Sequence, residues 1–128
     1  MGTKRSVLGQ LGEEAAARYL SQKKYRIIVR NFRRSFGELD IVAMAPDKTL
    51  VFVEVKTTTP GRFKPEDQMT KAKLTKFKRA ASLYAGAHQK LIKDKKGWRL
   101  DLVALVYESA CAGRPAGFRV RHYENIFL

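Results

Sequence analysis

Three charged residues interrupt otherwise apolar, strand-like sequence: Asp40 in Gly-Glu-Leu-Asp-Ile-Val-Ala, and Glu54 and Lys56 in Leu-Val-Phe-Val-Glu-Val-Lys. The pattern is an aspartate, thirteen intervening residues, then Glu-x-Lys. Two carboxylates close together repel, raise one another's pKa, and are seldom kept half-buried unless a cation or a proton holds them. A neighbouring lysine can also do this. Glu54 and Lys56, two apart on a strand, project from the same face. The plainer alternative is that they pair with cross-strand neighbours at a strand end.

The elements that must position this trio are two short runs rich in Val, Ile, Leu and Phe, residues 39–45 and 50–55. Between them lies the turn sequence Ala45-Pro46-Asp47-Lys48-Thr49. Val51, Val53 and Val55 point one way and Leu50 and Phe52 the other, so the hairpin should be central and covered on both sides. Folding about the turn places position 40 opposite a residue between 54 and 56. Asp40 joins the other two only if the connection has an odd number of residues or a bulge shifts the register by one, and that shift is expected.

Around the hairpin, residues 6–24 read as a first helix with Ser6 as N-cap and Leu8, Leu11, Ala15, Ala16, Tyr19 and Leu20 at helical spacing. Glu13 lies just beyond the edge of that apolar arc, able to look inward or to sit in solvent near the helix start. Residues 25–31 form a short strand whose arginines face out. Gly37 marks a bulge or close approach, and Glu38 is either a partner of the site or an exposed strand acid. Residues 57–65 read as a mobile loop, with Phe63 either stacking on a base or tucked into the core. A second helix covers 66–90 through Leu74, Phe77, Ala81 and Tyr84, with Glu66-Asp67 at its start and Gly97 closing the region behind it. Residues 98–107 form a strand inside the sheet, where Asp101 is read as structural, held by a lysine or a backbone amide. Residues 118–123 alternate as an edge strand, and the apolar terminus ending in Ile126-Phe127-Leu128 should dock on its own domain.

Composition sets the class of partner. The chain of 128 residues suits one domain, and 26 Lys and Arg against 12 Asp and Glu give a formal net charge of +14. Such a balance suits a polyanion, nucleic acid foremost, because phosphate neutralisation releases counterions. Between Arg62 and Arg99 there are twelve basic and three acidic residues. Candidate phosphate contacts are Arg30, Arg33, Arg34, Arg62, Lys64, Lys71 and Lys73, with a solvated charged surface as the alternative. No stretch reaches transmembrane length and no signal peptide is visible, so a membrane partner is not expected and a cytoplasmic location is. The single Cys111 excludes an internal disulfide, and with His88 and His122 it makes no usual zinc site.

The order helix, strand, hairpin, helix, strand, strand, with Asp40 on one strand and Glu54-Val55-Lys56 on the next, resembles the PD-(D/E)xK nuclease superfamily. Further motifs are Gly12-Glu13, Asn31-Phe32-Arg33, the Gly37 to Ala43 run, Val51 to Thr57 and His122-Tyr123-Glu124-Asn125. Together they look like the YraN family of small bacterial proteins, across nearly the whole chain. That resemblance implies an α/β, single-domain restriction-endonuclease-like fold over residues 1–128, with a mixed central β-sheet flanked by helices. It also implies a metal-dependent endonuclease, similar to archaeal Holliday-junction resolvases, hydrolysing phosphodiester bonds in structured, branched or junction DNA rather than RNA. Carried over residue by residue, Asp40 and Glu54 would hold Mg2+, with Mn2+ as the alternative, and Lys56 would orient or activate the attacking water. Glu13 would complete the acidic set. Where the family shows Lys-Thr-Arg this chain has Lys56-Thr57-Thr58, leaving Arg62 as the nearby substitute, and Lys73 falls in the family's Thr-x-x-Lys. A homodimer is implied because resolving a junction takes two sites about a two-fold axis. The competing readings are a catalytically silent nucleic-acid-binding module with a nuclease-like fold and an RNA-directed basic protein.

Overall fold

Ser6 opens the first helix by accepting the amide of Gly9 at 2.9 Å, which satisfies one of the donors a helix start leaves free. In chain order the elements are α1 (Val7–Gln22), β1 (Arg26–Arg34), β2 (Gly37–Met44), β3 (Leu50–Thr58) and α2 (Lys71–Ala87). A 3-10 turn (Gln89–Leu91), β4 (Trp98–Glu108) and β5 (Gly117–Tyr123) follow. The structure, a computed structural model, describes residues 6–61, 64, 69–93 and 96–127.

The strands form one mixed sheet in the order β1-β2-β3-β4-β5. Every neighbouring pair is antiparallel except β3 and β4, which run parallel and are joined through α2. Two helices on one mixed sheet make a small α/β domain consistent with a nuclease-like fold. The apolar run of β3 explains its central place. Val51, Val53 and Val55 pack with Ala16, Ala17 and Leu20 of α1, while Leu50 and Phe52 pack with Phe77, Ala81 and Tyr84 of α2 on the other face. β5 is an edge strand, as its alternation requires, and Ile126 and Phe127 pack against the α2 side of the core.

Several expectations are corrected. The buried stripe of α1 runs through Gly12, Ala16, Ala17 and Leu20, while Leu11 is 48% exposed. Gly12 sets this rotation: a Cβ there would overlap the Thr57 hydroxyl, so only glycine lets the helix lie this close to β3. β3 runs on through Thr57 and Thr58, and Thr58 is buried, because it continues the covered central strand where a loop was expected. Arg62, Phe63, Glu66 and Asp67 lie outside the described residues. Helix α2 starts at Lys71, with Thr70 Oγ1 accepting the amide of Lys73 at 3.2 Å. It closes at His88. Gly97, with φ of +65°, instead serves the turn that enters β4. Cys111 is exposed in the loop after β4.

Candidate functional site

The hairpin brings its two acids together. Met44 pairs with Leu50, leaving five residues in the connection, and the register runs through Ile41 opposite Val53 without a shift. Continued by one residue, it sets Asp40 across from Glu54. The expected register shift is absent from this hairpin, because the odd connection alone puts the two acids across from one another; the sheet's irregularity lies between β1 and β2, at Ile27 and Val29. Beyond Ile41–Val53 the paired register ends, and Asp40 Oδ2 accepts the backbone amide of Val55 at 2.8 Å. That bond pins the aspartate between the strands.

Glu54 is half-buried beside it. Burial first, then a hydrogen bond to Asp40 and the charge of Asp40, push its carboxyl up to about 9; Lys56 opposes the shift and Glu38 adds to it. At neutral pH Glu54 thus keeps its proton and donates it to Asp40. A hard divalent cation suits this donor set, because it would replace that proton and neutralise both carboxylates with oxygen ligands. Lys56, half-buried two residues on, stands on the Glu54 face of β3.

Glu13 sits on α1, in an open cleft that it shares with Gln10, Glu14, Arg30, Asn31 and Arg33. Arg30 pairs with Glu14 at 3.1 Å, and Arg33 reaches Glu38 at 3.9 Å. Arg34 is exposed, covers the ring of Phe32 at 4.3 Å and donates to the Arg33 carbonyl at 2.7 Å. Lys64 is exposed. Lys71 and Lys73 are exposed in the first turn of α2, which carries no acid. Lysines there oppose the helix dipole, a cost that a bound anion relieves.

A second polar cluster lies on β4, β5 and the segment after them. Asp101 is fully buried. It accepts from Arg99 Nε at 3.0 Å and from the amide of Asn125 at 2.9 Å, with His122 Nε2 at 2.8 Å from its other oxygen. The aspartate is structural as expected, although its cation is an arginine. Burial pushes its carboxyl up, but His122, Arg99 and the Asn125 amide outweigh burial and hold it below the usual range. Arg99 also bonds the Tyr25 hydroxyl at 2.8 Å and Glu124 at 3.2 Å, and His122 Nδ1 is 3.1 Å from the Tyr19 hydroxyl.

Among the described residues, the three metal-ligating side chains whose donor atoms all lie within 4.8 Å of one another are Asp101, His122 and Glu124. Both nitrogens of His122 are already engaged, and the Arg99 guanidinium joins both acids. A cation there would have to displace an arginine. The cluster reads as a charge-balanced structural network, whereas Asp40 and Glu54 form the pair short of positive charge.

Sequence reasoning missed three positions. Asn31 lies between Arg30, which pairs with Ile41, and Phe32, which pairs with Leu39, and so stands beside Asp40 on the neighbouring strand. Its only mark in the sequence is its place in Asn31-Phe32-Arg33. Tyr25 and Arg99 were strand ends with no role until the tertiary fold set them against Glu124, and burial pushes the Tyr25 hydroxyl up to about 12.

The fold, a five-stranded mixed sheet with two helices, is that of a small α/β protein and is consistent with a nuclease-like fold. The model of the family described as "Uncharacterised protein family UPF0102" matches residues 12–105. A UPF0102 protein of Geobacter sulfurreducens is 42% identical over 122 residues, covering 94% of this chain and 88% of the relative. One from Syntrophomonas wolfei is 37% identical over 121 residues, covering 94% and 96%. One from Corynebacterium efficiens is 35% identical over 127 residues, covering 98% and 96%. The chain belongs to the UPF0102 family, to which the YraN resemblance pointed. No helix among the described residues is long and apolar enough to cross a membrane.

Proposed function

We propose that this protein is a metal-dependent endonuclease that hydrolyses phosphodiester bonds in structured, branched DNA. The observation that carries the reading is the Asp40–Glu54 pair, two facing carboxyls that need a positive charge between them, with Lys56 alongside. Asp40 and Glu54 would hold Mg2+, or Mn2+ in its place, with Glu13 contributing from α1. When bound, the ion supplies neutralisation of the phosphate oxygens and a more acidic water. Asp40, fixed by the Val55 amide, and Glu54 set where the scissile phosphate rests. Lys56 donates to the attacking water and to the negative charge that builds on the phosphate. Substrate is gathered by the exposed bases, Arg33, Arg34, Lys64, Lys71 and Lys73, with Arg62 beside them in sequence, under a net charge of +14.

The test incubates purified protein with junction, flap, linear and single-stranded DNA and an RNA competitor, in Mg2+, Mn2+ or chelator. Cleavage that requires metal and disappears in Asp40→Ala and Lys56→Ala, with DNA binding retained, is the expected result. Salt-sensitive binding without cutting on any substrate would instead leave a binding module with a nuclease-like fold. Light scattering reads the homodimer that two coordinated cuts require.

A further inference from the structure

We infer that the cleft between α1 and β1 seats one unpaired nucleotide of the strand held at Asp40 and Glu54. This rests on the nuclease reading above and names the form of substrate that the site takes. The placement comes from the sheet. Asn31 of β1 neighbours Asp40 of β2, which in turn faces Glu54 of β3, so the cleft wall at Asn31 lies one strand from Asp40 and two from Glu54. Asn31 holds φ at +55°, a left-handed conformation that asparagine tolerates better than most side chains. In mid-strand it breaks the pleat, and the exposed residue lines the cleft.

Size and charge then select the occupant. The cleft holds about 400 Å³, at the low end of the ~300–1,000 Å³ typical of small-molecule pockets. Between a helix and a sheet edge, that is room for one nucleotide and not for a base pair. Although the protein is strongly basic, the cleft is not. Glu13 and Glu14 offset Arg30 and Arg33, and Arg30 is already bonded to Glu14. A neutral recess suits a base better than a phosphate. The groups left to recognise it are the carboxamides of Gln10 and Asn31, each offering a donor and an acceptor, the pairing that base edges present. Phosphates on either side fall to Arg34, Lys64, Lys71 and Lys73, which are exposed outside the cleft.

The full chain is titrated, in chelator, with a forked DNA carrying 2-aminopurine at the unpaired position next to the branch, and with a duplex carrying it in a pair. The fork should bind about tenfold tighter, the size of one good amide-to-base contact, and only the fork should change its emission at saturation. Asn31→Gly keeps the left-handed backbone and removes the amide; combined with Gln10→Ala, it should erase both the preference and the emission change while binding to duplex stays the same. Equal affinity for fork and duplex, or a preference untouched by these substitutions, overturns the inference even if the protein cuts DNA in Mg2+. A preference and emission change that depend on Asn31 and Gln10, in a protein that never cuts, uphold the cleft and overturn the catalytic reading.

Discussion

Two acids inside the same sheet, Glu54 on β3 and Asp101 on β4, meet opposite fates. Glu54 is pushed up to about 9 by burial and by Asp40, while Asp101, the more buried of the two, is held below its usual range by His122, Arg99 and the Asn125 amide. Depth does not decide the outcome; the company does. Asp101 has every lone pair answered by a donor and acts as a rivet between β4, β5 and the tail. Glu54 faces another acid and answers it by keeping its own proton, a perturbation of the kind that clusters at functional sites.

The comparison breaks most sharply at Asp101. Replacing it with alanine strands Arg99 and His122, and losing one partner of a buried charged network costs about 3–5 kcal/mol. Urea unfolding should show that loss at neutral pH, and an unchanged midpoint would remove the rivet. The opposite sign is expected at Glu54. Glu54→Gln keeps the shape without the titration and should stabilise the metal-free protein at pH 8 by a few kcal/mol, about 1.4 for each pH unit above the ordinary glutamate pKa.

The pH dependence follows with opposite slopes. Between the ordinary glutamate pKa and about 9 the folded state binds the Glu54 proton more tightly than the unfolded chain does, so metal-free stability falls as pH rises through that window. Glu54→Gln should flatten this slope. Asp101 binds its proton less tightly when folded, so its contribution is present above the ordinary aspartate pKa and is lost as pH falls through the depressed folded value. Thermal melts from pH 3 to 9 of the wild type and both variants separate the two limbs.

A smaller effect sharpens the contrast. Mg2+ at ten times its dissociation constant should stabilise by about 1.4 kcal/mol at pH 8, read as a shift in melting temperature absent from Asp40→Asn. A shift that instead follows Asp101→Asn would move the metal to the other cluster. The smallest effect belongs to Glu124, whose side chain is 61% exposed at the rim of the rivet. Glu124→Gln should change stability by no more than about 1 kcal/mol, so that the network's worth resides in the buried aspartate.

The amino-acid sequence by itself determined the hairpin, the two-faced burial of β3 and the identity of the charged trio, because alternation and turn residues act over a few positions and leave a local trace. Whether Asp40 and Glu54 share a face was left to an odd connection or a register shift, and the Met44–Leu50 pairing decided it without the shift. Only the tertiary structure decided which acid would be answered. His122 reaches Asp101 from β5 and the Asn125 amide from the segment after it, Gly12 sets the depth of α1 against Thr57, and Asn31 comes to stand beside Asp40. Those relations arise from packing between elements distant in the chain, where neither spacing nor periodicity carries information about who meets whom.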